Sequence, residues 1–192
     1  MIDWLVQPDS YAMHRHSQHA NNERNIEVTL GHRWLSEYRD TTVEVGAVMP
    51  NNGEAGHRVV DWIDPHATER VDAETVDFTG ASVLCLSTLE HFGMAEVGDP
   101  LDPAKAVRFL RQLSKTVERA LITVPMGYHL GLDEFLRDTP ALIRAVYRRT
   151  GPSEWECWAQ DWPDSIWDGE FNAPFTAANV LLVLGWLEGI TL

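Results

Sequence analysis

Carboxylates stand at or near the carboxyl ends of three apolar runs in this 192-residue chain. Glu44 lies in Thr42-Val43-Glu44-Val45-Gly46-Ala47, and Asp61 and Asp64 lie in Val59-Val60-Asp61-Trp62-Ile63-Asp64. Glu90 and His91 follow Val83-Leu84-Cys85-Leu86-Ser87-Thr88-Leu89. In an open parallel α/β sheet, ligands sit in the crevice outside the carboxyl ends of the strands. Carboxylates there accept hydrogen bonds from ribose hydroxyls and from the amine of a base, so the pattern suits a nucleoside-bearing ligand. A histidine in the same crevice is suited to proton transfer near neutral pH.

The elements that must position these groups follow from periodicity. Ile26, Val28, Leu30, Trp34, Leu35 and Tyr38 give a helix over Glu23 to Tyr38, interrupted by Gly31. A strand over Thr41 to Val48 ends at Met49-Pro50-Asn51-Asn52-Gly53, and further strands cover Arg58 to Ile63 and Ser82 to Ser87. Ala106, Phe109, Leu110, Leu113 and Val117 form one stripe of a helix over Pro103 to Ala120, followed by the run Ala120 to Val124 and Pro125. A helix is expected over Leu132 to Arg148, with Pro140 marking an interruption or a fresh start. Trp155 to Ala159 and Asn179 to Trp186 read as strands. The expected fold is α/β: a Rossmann-like, mostly parallel sheet flanked by helices, with an antiparallel C-terminal hairpin at one edge.

Composition narrows the function classes. A formal charge of -14 repels phosphate backbones and makes nucleic acid a poor partner. The basic cluster Arg144, Arg148 and Arg149 reads as the favourable carboxyl end of a helix. The longest apolar run, Val180 to Leu187, falls far short of the roughly 20 residues of a membrane helix. No signal-peptide pattern opens the sequence, so a cytoplasmic location is expected. Cys85 and Cys157 make neither a disulfide framework nor a metal spacing, and Cys85 reads as a buried thiol. His14, His16 and His19 cluster near the amino end without a spacing that surrounds one ion, so no metal site is expected. Trp155, Trp158, Trp162 and Trp167 read as packing residues before an acceptor cage.

The ordered succession Val43-Glu44-Val45-Gly46, Val60-Asp61-Trp62-Ile63-Asp64, Val76-Asp77-Phe78, Leu86-Ser87-Thr88-Leu89-Glu90-His91 and Leu121-Ile122-Thr123-Val124-Pro125 resembles the motifs of class I S-adenosylmethionine-dependent methyltransferases. Asn22-Glu23-Arg24, Ser87 to Gly93, Val124-Pro125-Met126-Gly127-Tyr128 and Phe171-Asn172-Ala173-Pro174-Phe175 are similar to a small group of microbial methyltransferase-like proteins. The resemblance implies a three-layer sandwich with S-adenosylmethionine as cofactor. It implies a single domain over 1–192: an irregular segment 1–25, a cofactor half 26–125 and a substrate-side half 126–192. Glu44 and Gly46 match the first motif, the acid orienting the loop or receiving the cofactor's ammonium. Asp64, or Asp61 if the strand ends earlier, matches the ribose acceptor, and Asp77 with the backbone of Phe78 matches the adenine reader. Ser87 to His91 match the floor beneath the sulfonium, with Glu90 or His91 facing the methyl acceptor.

Each residue also has a purely structural use: Asp61, Asp64 and Asp77 as turn formers, Glu44 as a satisfied buried carboxylate, and Glu90 and His91 as caps. The sequence departs from the methyltransferase pattern after Gly46, where Ala47-Val48-Met49-Pro50 replaces further glycines. Only thirteen positions separate Glu44 from His57, which leaves room for little helix. Two functions compete on these grounds. One is methyl transfer to a small molecule or glycan by in-line displacement, which requires no metal, with His91, His129 or Tyr128 as base. The other is a non-catalytic binding or assembly protein on the same fold. A nicotinamide-dependent oxidoreductase is weaker, because Gly-x-Gly-x-x-Gly is lacking. Self-association is compatible with the sequence.

Overall fold

The computed structural model describes residues 22–95, 98–159 and 161–187; the histidine cluster at 14–19 lies outside them. Strands β1 (Thr42–Val45), β2 (Arg58–Val60), β3 (Ser82–Leu86), β4 (Arg119–Pro125), β5 (Ile143–Arg149), β6 (Trp155–Trp158) and β7 (Val180–Leu187) form one seven-stranded sheet. Their order is β2-β1-β3-β4-β7-β5-β6. The pairs β1·β2, β1·β3 and β3·β4 are parallel, and β4·β7, β5·β7 and β5·β6 are antiparallel. The sheet is thus parallel on one side and antiparallel on the other.

Period-two alternation divides the core between the two faces. Val83 and Cys85 of β3, Ile122 and Val124 of β4, and Leu182 and Leu184 of β7 join one cluster with Phe109, Leu110 and Leu113 of α3 (Lys105–Thr116) and Leu132 and Leu136 of α4 (Leu130–Asp138). Leu84, Leu86, Leu121, Leu181 and Val183 join the other with Ile26, Leu30 and Trp34 of α1 (Arg24–Tyr38) and Val48 and Met49 of α2 (Val48–Asn51). The result is a three-layer α/β sandwich with helices on both faces. Gly31, an interruption in the helical stripe, has a packing partner: a Cβ there would stand 2.3 Å from Sδ of Met49, so a side chain at 31 would displace that thioether from its place against α1.

Several elements differ from expectation. Residues 48–51 are helical, so β1 stops at Val45, and β2 stops at Val60 because Asp61 begins a turn. The expected helix 132–148 ends at Asp138; Pro140 opens a 3-10 turn to Leu142, and 143–149 is strand β5. Arg144, Arg148 and Arg149 therefore lie on a strand instead of capping a helix. Arg149 is buried and donates to the carbonyls of Gly151, Pro152 and Thr176. The strands at 155–158 and 180–187 do not pair with each other, since β5 runs between them. Among the described residues no helix is long and apolar enough to cross a membrane.

Candidate functional site

After β1 the chain moves to β2 on one side, and β3 enters on the other side of β1. That reversal creates a crevice at the carboxyl ends of β1 and β3. Gly46 makes the first turn with φ +86°, its N–H donating to the carbonyl of Val60 at 2.9 Å. A Cβ on Gly46 would lie 2.1 Å from Oγ1 of Thr88, whose hydroxyl is itself held on the carbonyl of Leu86 at 3.0 Å. At the end of β2, Oδ1 of Asp61 accepts from the N–H groups of Ile63 and Asp64, both at 2.8 Å. This turn leaves Trp62 and Ile63 in water, 55% and 59% exposed. Two adjacent large apolar side chains held outward at the mouth of a crevice offer a flat ring a surface to cover.

The crevice encloses a cavity of about 230 Å³. Its charge is dominated by Asp61, Asp64, Asp72 and Asp99, against Lys105 and a partly exposed His91. Nζ of Lys105 bridges Oδ2 of Asp72 at 2.8 Å and both oxygens of Asp99 at 2.8 and 2.9 Å. Burial works against this ammonium, but the bonds from Asp72 and Asp99 outweigh it and hold its pKa above the ordinary lysine value. Asp72 also fixes the turn Ala73–Thr75, its carboxylate accepting from the N–H of Glu74 at 3.0 Å.

Of the residues singled out from sequence, Gly46, Asp61, Asp64 and His91 line this cavity. Both oxygens of Asp64 are engaged, Oδ2 by the amide of Asn51 at 2.9 Å and Oδ1 by the backbone of His66 at 2.7 Å, so Asp64 ties α2 to the β2 turn. Partial burial opposes its ionisation, yet these donors keep its pKa below the usual value. Glu44 lies away from the cavity. It is fully buried on the α1 face, where Oε1 accepts from the N–H of Met49 at 2.8 Å and Oε2 meets Nε2 of His57 at 2.6 Å. Burial pushes its carboxyl up, opposed by His57 and Met49. Of the two expected uses of Glu44, orienting the loop or receiving an ammonium, its bonds to Met49 and His57 are of the first kind.

Asp77, Phe78, Ser87 and Glu90 also lie outside the cavity lining. Asp77 is exposed and accepts from the N–H of Thr79 at 2.9 Å, closing its own turn. Phe78 is a core residue packed edge-on against Phe109, with ring centroids 5.7 Å apart. Ser87, at φ +35°, takes its N–H to Thr123 Oγ1 at 2.9 Å and its hydroxyl to Oε1 of Glu27. Glu27 is fully buried, also accepts from Thr123, and is paired with Arg24. Glu23 stands beside this pair, with Oε2 accepting from the N–H of Ala178 at 3.1 Å. Glu90 is buried, with Oε1 3.8 Å from Nε2 of His91. The ring of His91 meets Tyr128 edge to face at 4.8 Å, and Tyr128 meets Phe171 in the same way at 4.9 Å. Trp158, Trp162 and Trp167 pack against one core cluster and Trp155 against the other, so the tryptophans do form packing.

Sequence reasoning missed Asp72, Asp99 and Lys105, while Thr88 fell within the expected floor Ser87 to His91 and does line the cavity. Asp72 carries a signal, since Asp72-Ala73-Glu74 is an N-capped turn in the connection leading to β3. Lys105 was legible only as a polar residue opening the helix, because its carboxylate partners come from two separate loops. Cys85 is a fully buried free thiol, its pKa pushed well up by burial and by the nearby Glu90. No group of three metal-ligating side chains is present among the described residues.

Fold and cavity together define an α/β sandwich with a carboxylate-rich crevice of about 230 Å³ at the switch point of its sheet. No family model matches the chain. It is 30% identical over 105 residues to a dTTP/UTP pyrophosphatase of Albidiferax ferrireducens, a match covering 54% of this chain and 52% of that protein. The chain thus spans about half the length of the curated relative it matches. Among solved structures it is similar to magnesium protoporphyrin IX methyltransferase (ChlM) from Synechocystis PCC 6803 with bound SAM, at 12% identity and TM-score 0.38, covering 84% of this chain and 83% of that one. The same enzyme with bound SAH gives 14% identity and TM-score 0.34 over 84% and 85%.

Proposed function

We propose that the protein is an S-adenosylmethionine-dependent methyltransferase acting on a small molecule or a glycan. The observation that carries this reading is the crevice at the switch point, where Gly46 turns the chain against Thr88, Asp61 ends β2, and Trp62 and Ile63 stand exposed beside it. Asp61 is placed to accept from ribose hydroxyls, while Trp62, Ile63 and Val71 offer apolar surface to the base. The cavity is smaller than the roughly 300 Å³ at which ligand pockets usually begin, so it suits the adenosine part, and the remainder would run past Thr88 toward His91. Bound there, the cofactor supplies an electrophilic methyl group. The protein's work is to align donor and acceptor, and His91 is the group placed to take a proton from the acceptor. The excess of carboxylates disfavours phosphate-bearing ligands, nicotinamide dinucleotides included.

A second reading, a non-catalytic binding protein, draws on Lys105, which bridges Asp72 and Asp99 at the cavity, and on Asp64, both of whose oxygens are already engaged. Calorimetric titration separates the readings. S-adenosylmethionine and S-adenosylhomocysteine are expected to bind at micromolar concentration, with no heat from a nicotinamide dinucleotide. Asp61→Ala should weaken binding about tenfold, the loss of roughly 1.4 kcal/mol of hydrogen bonding. Asp77→Ala should leave it unchanged. No heat and no thermal stabilisation by either cofactor form at millimolar concentration would overturn the methyltransferase reading.

A further inference from the structure

Glu44 is sealed beneath α2 by His57 and Met49, so the ammonium of an amino-acid end needs another acceptor. One carboxyl, outside the cavity lining but beside the lining residue His91, has an oxygen left unsatisfied. Glu90 is 2% exposed, and its Oε2 meets no hydrogen-bond partner among the described residues. Its other oxygen stands 3.8 Å from Nε2 of His91, whose ring lines the cavity, so one side chain separates Glu90 from the ligand space. A buried carboxyl with an unused oxygen is costly unless a partner arrives. Around it, Glu27 is fully engaged by Ser87, Thr123 and Arg24, and Glu23 is held by the N–H of Ala178.

We propose that Glu90, with Glu23 and Glu27 behind it and Arg24 beside them, forms a subsite for the amino-acid end of the ligand, its ammonium going to Glu90. The proposal rests on the methyltransferase reading and goes beyond it by assigning the part of the cofactor that the shortened loop after Gly46 leaves unheld. Three carboxyls and one guanidinium match a zwitterion whose ammonium enters first, with Arg24 supplying the charge opposite to the ligand's carboxylate. Burial, with Glu27 and Glu23 close by, pushes the Glu90 carboxyl well up, and a cation is the guest that favours its ionised form.

The test compares two ligands that share an adenosine thioether and differ in the amino-acid end: S-adenosylhomocysteine and 5′-methylthioadenosine. A charge-assisted hydrogen bond predicts that the first binds the wild-type protein about 10–100-fold more tightly. Glu90→Gln should remove at least tenfold of that preference while leaving 5′-methylthioadenosine within about twofold of its wild-type affinity. Equal affinities in the wild-type protein would overturn the subsite and leave the methyltransferase reading standing, whereas failure of both ligands to bind would overturn that reading itself. An equal loss for both ligands in Glu90→Gln, or no loss for either, would also overturn the assignment. Should Glu90→Gln fail to fold, Glu23→Gln is the second variant, expected to lower the preference without touching 5′-methylthioadenosine, and an unchanged preference would count against the subsite.

Discussion

Asp133 on α4 turns burial into a measurable dependence of stability on pH. Its Oδ2 accepts from the N–H of Gly127 at 2.9 Å, while Oδ1 meets no hydrogen-bond partner among the described residues. Burial raises the carboxyl from 3.8 to about 6; the Gly127 N–H and Arg137 oppose the rise, and Glu134 adds to it. The folded protein therefore keeps the proton to higher pH than the unfolded chain. The stabilisation is complete below about pH 3.8 and is lost as pH rises through about 6. Two units correspond to at most about 3 kcal/mol, and to about 2 kcal/mol once solvent screening is allowed for. Asp133→Asn keeps an oxygen for the Gly127 N–H and cannot ionise. In urea unfolding between about pH 3.5 and 7.5, the variant should gain on the wild-type protein by about 2 kcal/mol across the series. A difference flat to within about 0.5 kcal/mol would refute the reasoning, because it would mean that Asp133 ionises alike in both states. The site is involved as well, since the turn Asp133 secures carries Tyr128, whose ring packs on His91.

Two further outcomes follow from the packing around β1. Gly46→Ala combines left-handed backbone strain of about 1–2 kcal/mol with a collision against Thr88, so it should lower the urea midpoint and weaken cofactor binding together. Removing the Thr88 side chain in the double variant should restore part of both, and strict additivity in that cycle would count against the contact. His57→Ala leaves Glu44 buried without its ring partner, a change expected to destabilise by about 3–5 kcal/mol, read from denaturant unfolding, with Glu44→Gln/His57→Ala less affected than His57→Ala alone.

What the sequence revealed depended on how local the cause was. β3 and β4 were legible because strands buried on both faces read as short apolar runs, and α3 because its stripe is one-sided. β5 was misread as helix because Leu132 to Arg148 is apolar and polar at intervals that fit either period, and its strand state is decided by pairing with β6 and β7. At the site, Asp61 and Gly46 carry local turn chemistry that a sequence displays. Whether an acid in a strand faces the ligand or the core does not show in the same way. For Glu44 the sequence left open whether it orients the loop or meets a ligand, and the side-chain alternation of a four-residue strand turns it toward α2. Asp77 was picked from its place in the motif order, and it stands exposed on its own Asx turn outside the cavity lining, whereas Asp72, one turn earlier, lines it.

The place of β7 bears on how the molecule is assembled during synthesis. β7 is paired along β4 from Arg119 to Pro125 on one edge and along β5 on the other, so it is the wedge that joins the two halves of the sheet. While a growing chain has been made only as far as β6, the β5–β6 ribbon has no link to the parallel half, and one edge of β4 stays open. A vectorially synthesised chain must hold that edge unpaired until residues 180–187 emerge, which makes the interval before β7 the moment of greatest exposure to edge-to-edge association and to holdase chaperones.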